Sequence, residues 1–322
     1  MIEPEPMRPE AFSLGTERRL FVEGKDEFAF DPHVLGHLLG RYGVDVRPVG
    51  GCENVMAAVH ALTWEEDASS DESACTQCYS VIDRDYRPDD EVEATWEGGP
   101  FSAGCHLIWR RHDFENYFLE PEFVSQALCF QGDGDGLASG LLREAQRRVF
   151  YDAANLVVKE LRFRFRSWHV PKLPWVGDSF ADAAKAEASL LGANDWQAVA
   201  QAKEEVLSAE WLRGRFRGNL DTLVGEIGHA ALQFGRGEWL TRMDGHGLIG
   251  SVLSERFFEV PGSDGKPLTG KQLWREVARD LMRRFDDLPY KPQDLVEVRD
   301  FFRNTQPRWF GVTDTAGSPR SR

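Results

Sequence analysis

Apolar and polar positions change period along the first third of the chain. Leu20-Phe21-Val22 is a short apolar run that ends in Glu23-Gly24-Lys25-Asp26, the pattern of a buried strand running out into a polar turn. Asp31-Pro32 then predicts a helix N-cap followed by proline at the first helical position. Val34, Leu35, Leu38 and Leu39 follow at helical spacing, and Gly43 is the stop. Residues 44–49 alternate like a strand, Gly50-Gly51 turns the chain, and Val55, Ala58, Val59 and Leu62 mark a second helix. Beyond a polar, acidic loop over 65–73, an apolar run ends in Asp83-Arg84-Asp85. A second loop over 86–104 leads to an apolar strand at 106–109, and Pro121 opens another helix.

This alternation predicts an α/β fold: a mostly parallel sheet flanked by helices, with right-handed crossovers. From about Gly140 the pattern is mainly helical, at 141–158, 180–191, 196–211, 220–234, 270–285 and 295–303. The expected organisation is an N-terminal tail at 1–16, an α/β domain at 17–130, an α-rich region at 140–310 and a tail at 311–322. That last tail has small and polar residues without a period, so disorder is expected there.

Composition narrows the class. No apolar run approaches the length that crosses a bilayer. The first ten residues are acidic and proline-rich, so no signal-peptide pattern is visible. Five cysteines, an odd number, suggest reduced thiols and a cytoplasmic home. The net charge of -15 is uneven: residues 1–100 hold 22 Asp/Glu and 8 Lys/Arg, a net of -14, and the other 222 hold 31 and 30, a net of -1. Excess negative charge therefore sits with the α/β third, and a phosphate-bearing partner remains open for the rest.

The chemistry concentrates where strands end. In open parallel sheets ligands bind beyond the carboxyl ends of the strands, and both acidic motifs fall there. Crowded carboxylates tolerate one another only beside a cation, and hard oxygen ligands suit Mg²⁺ or Mn²⁺. In extended chain Asp83 and Asp85 project to one side and Arg84 to the other. Glu23 would ligate or act as a general base. In His112-Asp113-Phe114-Glu115-Asn116-Tyr117, Glu115 is the first choice for a fourth ligand and Asp113 the second. Lys25 would neutralise a phosphate or pair with a nearby acid, and Asp26 is a further acidic candidate. Gly50 and Gly51 offer amides to a phosphate or make a plain turn. Cys75 and Cys78 have the spacing of half a zinc site, but no second pair follows. The alternating segment 161–169, read as a strand, would put Arg162, Arg164 and Arg166 on one face and aromatics on the other. Arg213, Arg215 and Arg217 form a second basic cluster. Both are nucleic-acid candidates, or solvated faces that pair with the acidic domain.

Phe21-Val22-Glu23-Gly24-Lys25-Asp26, Val49-Gly50-Gly51-Cys52-Glu53-Asn54-Val55, Val81-Ile82-Asp83-Arg84-Asp85 and Glu115-Asn116-Tyr117-Phe118-Leu119-Glu120-Pro121 together resemble the Toprim fold. The likeness is nearest to Toprim nucleases of the OLD type, especially the Toprim effector subunit of PARIS-like anti-phage systems. It covers roughly 17–125, with a weaker echo at 239–253. The resemblance implies that Glu23, Asp83 and Asp85 bind Mg²⁺ or Mn²⁺ and that the chain cleaves phosphodiesters, with RNA such as tRNA among the targets. It also implies restraint by an ABC-type ATPase partner and leaves a homodimer open for the active form. Where look-alikes often carry Gly-Lys, this chain has Gly245-His246, so a lysine role does not carry over and His246 is the candidate donor. The alternative is a non-catalytic Toprim-fold subunit that regulates or binds an ATPase. Because the chain lacks a G-x-x-x-x-G-K-[ST] loop, ATP hydrolysis would come from another chain.

Overall fold

Three apolar runs and the alternating segment pair into one parallel sheet: β1 (Arg18–Val22), β2 (Val44–Pro48, the alternating one), β3 (Gln77–Ile82) and β4 (His106–Ile108), in the order β2-β1-β3-β4. Arg18 aligns with Val44 on one side and Gln77 on the other, and Ile82 aligns with Ile108. Burial along β1 and β3 is nearly continuous, as expected for parallel strands covered on both faces. The computed structural model describes residues 18–59, 77–165, 180–191, 208–225, 232–252 and 257–305.

Helix α1 (Phe30–Leu39) buries Val34, Leu35, Leu38 and Leu39, the positions the periodicity assigned to its inner face. Its N-cap is Ala29 rather than Asp31. The helix begins two residues early, and the aspartate is left in the first turn, its carboxyl released from the capping role. Helix α2 is described over 52–59. Helix α3 (Asp89–Ala94) lies inside the loop that the sequence left without structure. A 3₁₀ turn (Phe114–Leu119) and α4 (Pro121–Val124) follow β4.

The helical half differs from its expected outline in three places. Helix α5 runs over Gly134–Phe165, so it starts within the glycine-rich stretch and continues through the segment read as a strand. Residues 162 and 164 are therefore helical. At about 100° per residue, a period-two row of arginines no longer shares one face; Arg166 lies outside the described residues. One helix, Ala209–Val224, ends at Gly225 and joins the end of the helix expected at 196–211 to the start of that expected at 220–234; residues 192–207 and 226–231 lie outside the described residues. Gly214 and Gly218 resemble breaks but sit on its open side, with nothing near where a Cβ would be. Leu212, Phe216, Leu220 and Leu223 form its buried stripe. Residues 239–242 and 245–252 are also helical.

The change from strands to helices near residue 130 does not break the core. Buried residues from Leu20 to Phe302 form one cluster. Helix Gly270–Arg283 packs on α1, Ala209–Val224 packs on α5, and Gly245–Val252 packs on both α5 and the 3₁₀ turn. Arg18, buried in β1, donates to the carbonyls of Phe302 and Thr305 at 2.7 and 2.6 Å, which ties the first strand to the last described helix. Among the described residues no helix is long and apolar enough to cross a membrane. The expected tail at 311–322 lies outside them.

Candidate metal centre

Adjacent strands bring the two acidic motifs together. β1 and β3 are neighbours in register, so Glu23 and Asp83 leave the sheet side by side. Glu23 Oε1 accepts the Asp83 backbone N–H at 3.2 Å, and Asp83 Oδ1 accepts that of Phe114 at 3.0 Å. An aromatic cluster fixes the third contributor. Trp109 stacks on Phe114 with centroids 5.2 Å apart, and Phe118 meets Phe30 at 5.4 Å and Trp274 at 5.6 Å. With Phe114 and Phe118 pinned, Glu115 is held between them, its side chain 13% exposed.

The fourth carboxylate is Asp31, which the sequence reading treated only as a cap. Burial raises its pKa well above the ordinary value, and so do the charges of Glu115 and Glu23. Asp83 behaves alike, raised by burial and then by Asp31, Glu23, Asp113 and Glu115. Glu23 is pushed up to about 7, first by burial and then by Asp85, against the opposing effects of the Asp83 N–H and Arg87. Four elements thus aim acids at one another with too few cations to balance them. The available signal for Asp31 was its place in the first turn of the helix directly after the Glu23 turn, where the helix N-terminus faces the strand ends.

Asp85 is placed differently. β3 stops at Ile82, and Asp85 has a left-handed backbone, φ 52°, so the alternation expected for Asp83 and Asp85 does not hold. Its N–H donates to the His112 carbonyl at 2.8 Å. Its own carbonyl lies 2.7 Å from His112 Nδ1, which must carry the proton because a carbonyl only accepts. His112 Nε2 is then an acceptor for the Lys159 ammonium at 2.9 Å, and Lys159 Nζ lies 3.5 Å from Asp85 Oδ1. Lys159, from α5, was not singled out in the sequence. Burial opposes its charge, but Asp85, Asp244, Asp113 and Asp152 outweigh it and raise its pKa. His112 is held down at about 4 by burial and by Lys159. Lys159→Met is therefore expected to raise the His112 pKa, since one of the two causes disappears and Asp85 beside the ring keeps only Arg87, 4.0 Å away, among the described residues. A histidine NMR titration reads this; a value that stays near 4 contradicts the network.

Other candidates have structural partners. Asp113 caps the 3₁₀ turn, and its Oδ2 accepts the Gly245 N–H at 3.1 Å. A Cβ at Gly245 would lie 2.4 Å from Asp113 Oδ1, so this close approach requires glycine. His246 Nδ1 is 3.3 Å from Glu115 Oε1, and that hydrogen bond raises its pKa. Asp26 Oδ1 accepts the Phe28 N–H at 2.9 Å in a local turn. Lys25 is exposed. The Gly50 amide is engaged by the Gly24 carbonyl at 2.8 Å and is not free for a phosphate. Arg84 is buried and holds the Arg87 and Arg110 carbonyls. Arg213 and Arg217 both pair with Glu187, at 2.7 and 3.7 Å, and Arg215 pairs with Glu160 at 2.6 Å. Arg162 lies in α5, and Arg215 lines the same cleft as Asp85. Cys78 is buried within β3, and Cys75 lies outside the described residues.

Among the described residues, no group of three or more His, Cys, Asp or Glu side chains is already disposed to hold a metal ion. The donor chemistry nevertheless fits a hard divalent cation. The donors are carboxylate oxygens, those of Asp31 and Asp83 with pKa values raised first by burial and then by neighbouring carboxylates, and among the described residues Asp113 Oδ1 is buried with no hydrogen-bond partner. Mg²⁺ keeps several waters and needs only one or two carboxylates directly, so a closed protein shell is not required. No protein-family profile matches the chain, and no curated protein matches it.

Proposed function

We propose that the chain is a divalent-metal-dependent endonuclease of Toprim type that hydrolyses phosphodiester bonds in nucleic acid. What supports it is the meeting of Glu23, Asp83, Asp31 and Glu115 at the carboxyl ends of β1 and β3, where burial comes first and then Glu23 and Glu115 raise the pKa of both Asp31 and Asp83, and Asp31 raises that of Asp83. Glu23, Asp83, Asp31 and Glu115 would hold Mg²⁺ or Mn²⁺, with Asp85 on the rim. The bound ion would supply charge neutralisation and a water of lowered pKa.

The chain's own groups divide the remaining work. Where it does not ligate the ion, Glu23, pushed up to about 7 by burial and Asp85, would take a proton from a nucleophile near neutral pH. Lys159, held by His112 beside Asp85, presents a fixed ammonium to an approaching phosphate. His246 beside Glu115 stands where a donor to a phosphate oxygen is wanted. The resemblance to effector subunits of anti-phage systems adds three further elements: RNA or tRNA as the target, an ABC-type ATPase as partner, and restraint of cleavage until that partner is triggered.

The test is cleavage of DNA, bulk RNA and tRNA with Mg²⁺ or Mn²⁺, by the wild type and Glu23→Ala, with and without the ATPase. The expected result is metal-dependent cleavage by the wild type alone. Silence of both proteins in every combination would overturn the enzyme and leave a non-catalytic subunit of an ATPase complex.

A further inference from the structure

The Asp85 end of the centre opens into a cleft of about 440 Å³ between the turn after β3, α5 and helix Ala209–Val224. This lies within the range of small-ligand pockets, roughly 300–1,000 Å³. The charges on its rim are closed into pairs. Asp85 faces Lys159 at 3.5 Å, Glu160 faces Arg215 at 2.6 Å, Asp89 binds Arg242 at 2.7 Å and Glu91 faces Arg87 at 3.3 Å. The lining itself holds four carboxylates and two guanidinium groups, so it repels a phosphate. An uncharged group suits it better.

Its walls define that group further. Leu156 and Leu223 supply apolar surface, and Asn219 and Thr222 supply polar edges. Among the described residues Asn219 Nδ2 gives one hydrogen bond, to the Ala153 carbonyl at 3.3 Å, which leaves its Oδ1 and its second N–H. Thr222 Oγ1 donates to the Gly218 carbonyl at 2.9 Å and keeps its lone pairs. An amide that offers one donor and one acceptor side by side matches the edge of a nucleobase. Resting on the nuclease function proposed above, we infer that this cleft receives one unstacked base of the substrate strand next to the scissile phosphate. The substrate is then single-stranded nucleic acid or a loop, not an intact duplex, because a paired base cannot enter a pocket of this kind without leaving its stack.

The experiment uses single-stranded DNA and RNA oligonucleotides carrying one 2-aminopurine, and the matching duplexes. Ca²⁺ replaces Mg²⁺ so that bound strands stay intact. The wild type is expected to change the fluorescence on binding and to hold single strands at least about tenfold more tightly than duplex, the scale of one base–side-chain contact set. Leu156→Trp fills the cleft; it is expected to abolish the fluorescence change and weaken single-strand binding about tenfold. Asn219→Ala, a half-buried position less exposed to folding defects, is expected to weaken binding several-fold with Mn²⁺ affinity unchanged. Equal affinity for duplex and single strand, or variants that bind and cleave like the wild type in Mg²⁺, overturn the base pocket and leave the nuclease standing. Failure of the wild type to cleave any nucleic acid in Mg²⁺ overturns the nuclease itself.

Discussion

Glu23→Gln is expected to lower metal-dependent cleavage by about a thousandfold, the scale for losing a base or ligand, while making the metal-free protein more stable at neutral pH. The second effect separates a lost function from a lost fold. In the folded chain the Glu23 carboxyl moves from an ordinary 4.5 to about 7, so folding favours its protonated form. Its contribution is complete below about pH 4.5, declines as pH rises and is gone above about pH 7. The interval from 4.5 to about 7 corresponds to about 3 kcal/mol. Asp31 and Asp83 shift in the same direction and carry the decline to higher pH.

In EDTA, the wild-type Tm should therefore fall between pH 5.5 and 8, and Mg²⁺ or Mn²⁺ should restore it, most strongly at pH 8 where protons no longer compete for the carboxylates. Glu23→Gln should flatten the EDTA profile and blunt the response to metal. Comparison with the variant is necessary because other groups titrate nearby. His106 and His112 are held at about 4 by burial, so they destabilise the fold below about pH 6.5, against the trend of Glu23. The difference between the two proteins cancels them. A wild-type profile in EDTA that does not differ from that of Glu23→Gln would mean that Glu23 has no acidic neighbours worth the name.

The acids at strand ends were legible in the sequence because a strand fixes where its last residue goes. Glu23 and Asp83 each follow an apolar run, and parallel pairing of β1 and β3 leaves them little choice but to meet. Glu115 was found for a similar reason, by its distance from the strand before it. Asp31 and Lys159 were not found, because each reaches the centre from a helix whose rotation and packing are set by tertiary contacts. Lys159 sits about 75 residues along the chain from Asp85, on a helix that also had to be extended beyond its apparent end. Local pattern misled in the same way at 161–165, where alternation of arginine and aromatic residues suits a strand but a long helix was already under way. Asp85 shows the complementary error: extended geometry was assumed two residues past the end of β3, where the chain had turned left-handed.

The largest structural effect is expected at Arg148, which no sequence pattern marked. Its side chain is 1% exposed and its guanidinium pairs with Asp152 at 3.2 Å within α5 and with Asp244 at 3.0 Å. Asp244 begins the turn into helix Gly245–Val252, the element that supplies His246 and is braced by Asp113. Burial already pushes the Asp152 carboxyl up to about 7 despite Arg148. Arg148→Met keeps most of the volume but leaves a carboxylate buried without its cation, a defect of about 3–5 kcal/mol. For a chain of this size that is roughly a 10 °C fall in Tm, measurable by calorimetry at pH 8. Part of the loss should return at pH 5.5, where Asp152 is neutral and needs no partner. Gly247→Ala perturbs the same junction from the other side, since its Cβ would lie 2.5 Å from the Arg148 guanidinium carbon. Combined in one chain, the two substitutions should cost less than the sum of the single effects, because methionine removes the group that alanine strikes. Full additivity would mean that Arg148 does not lie against Gly247, and the link from α5 to the helix carrying His246 would fall with it.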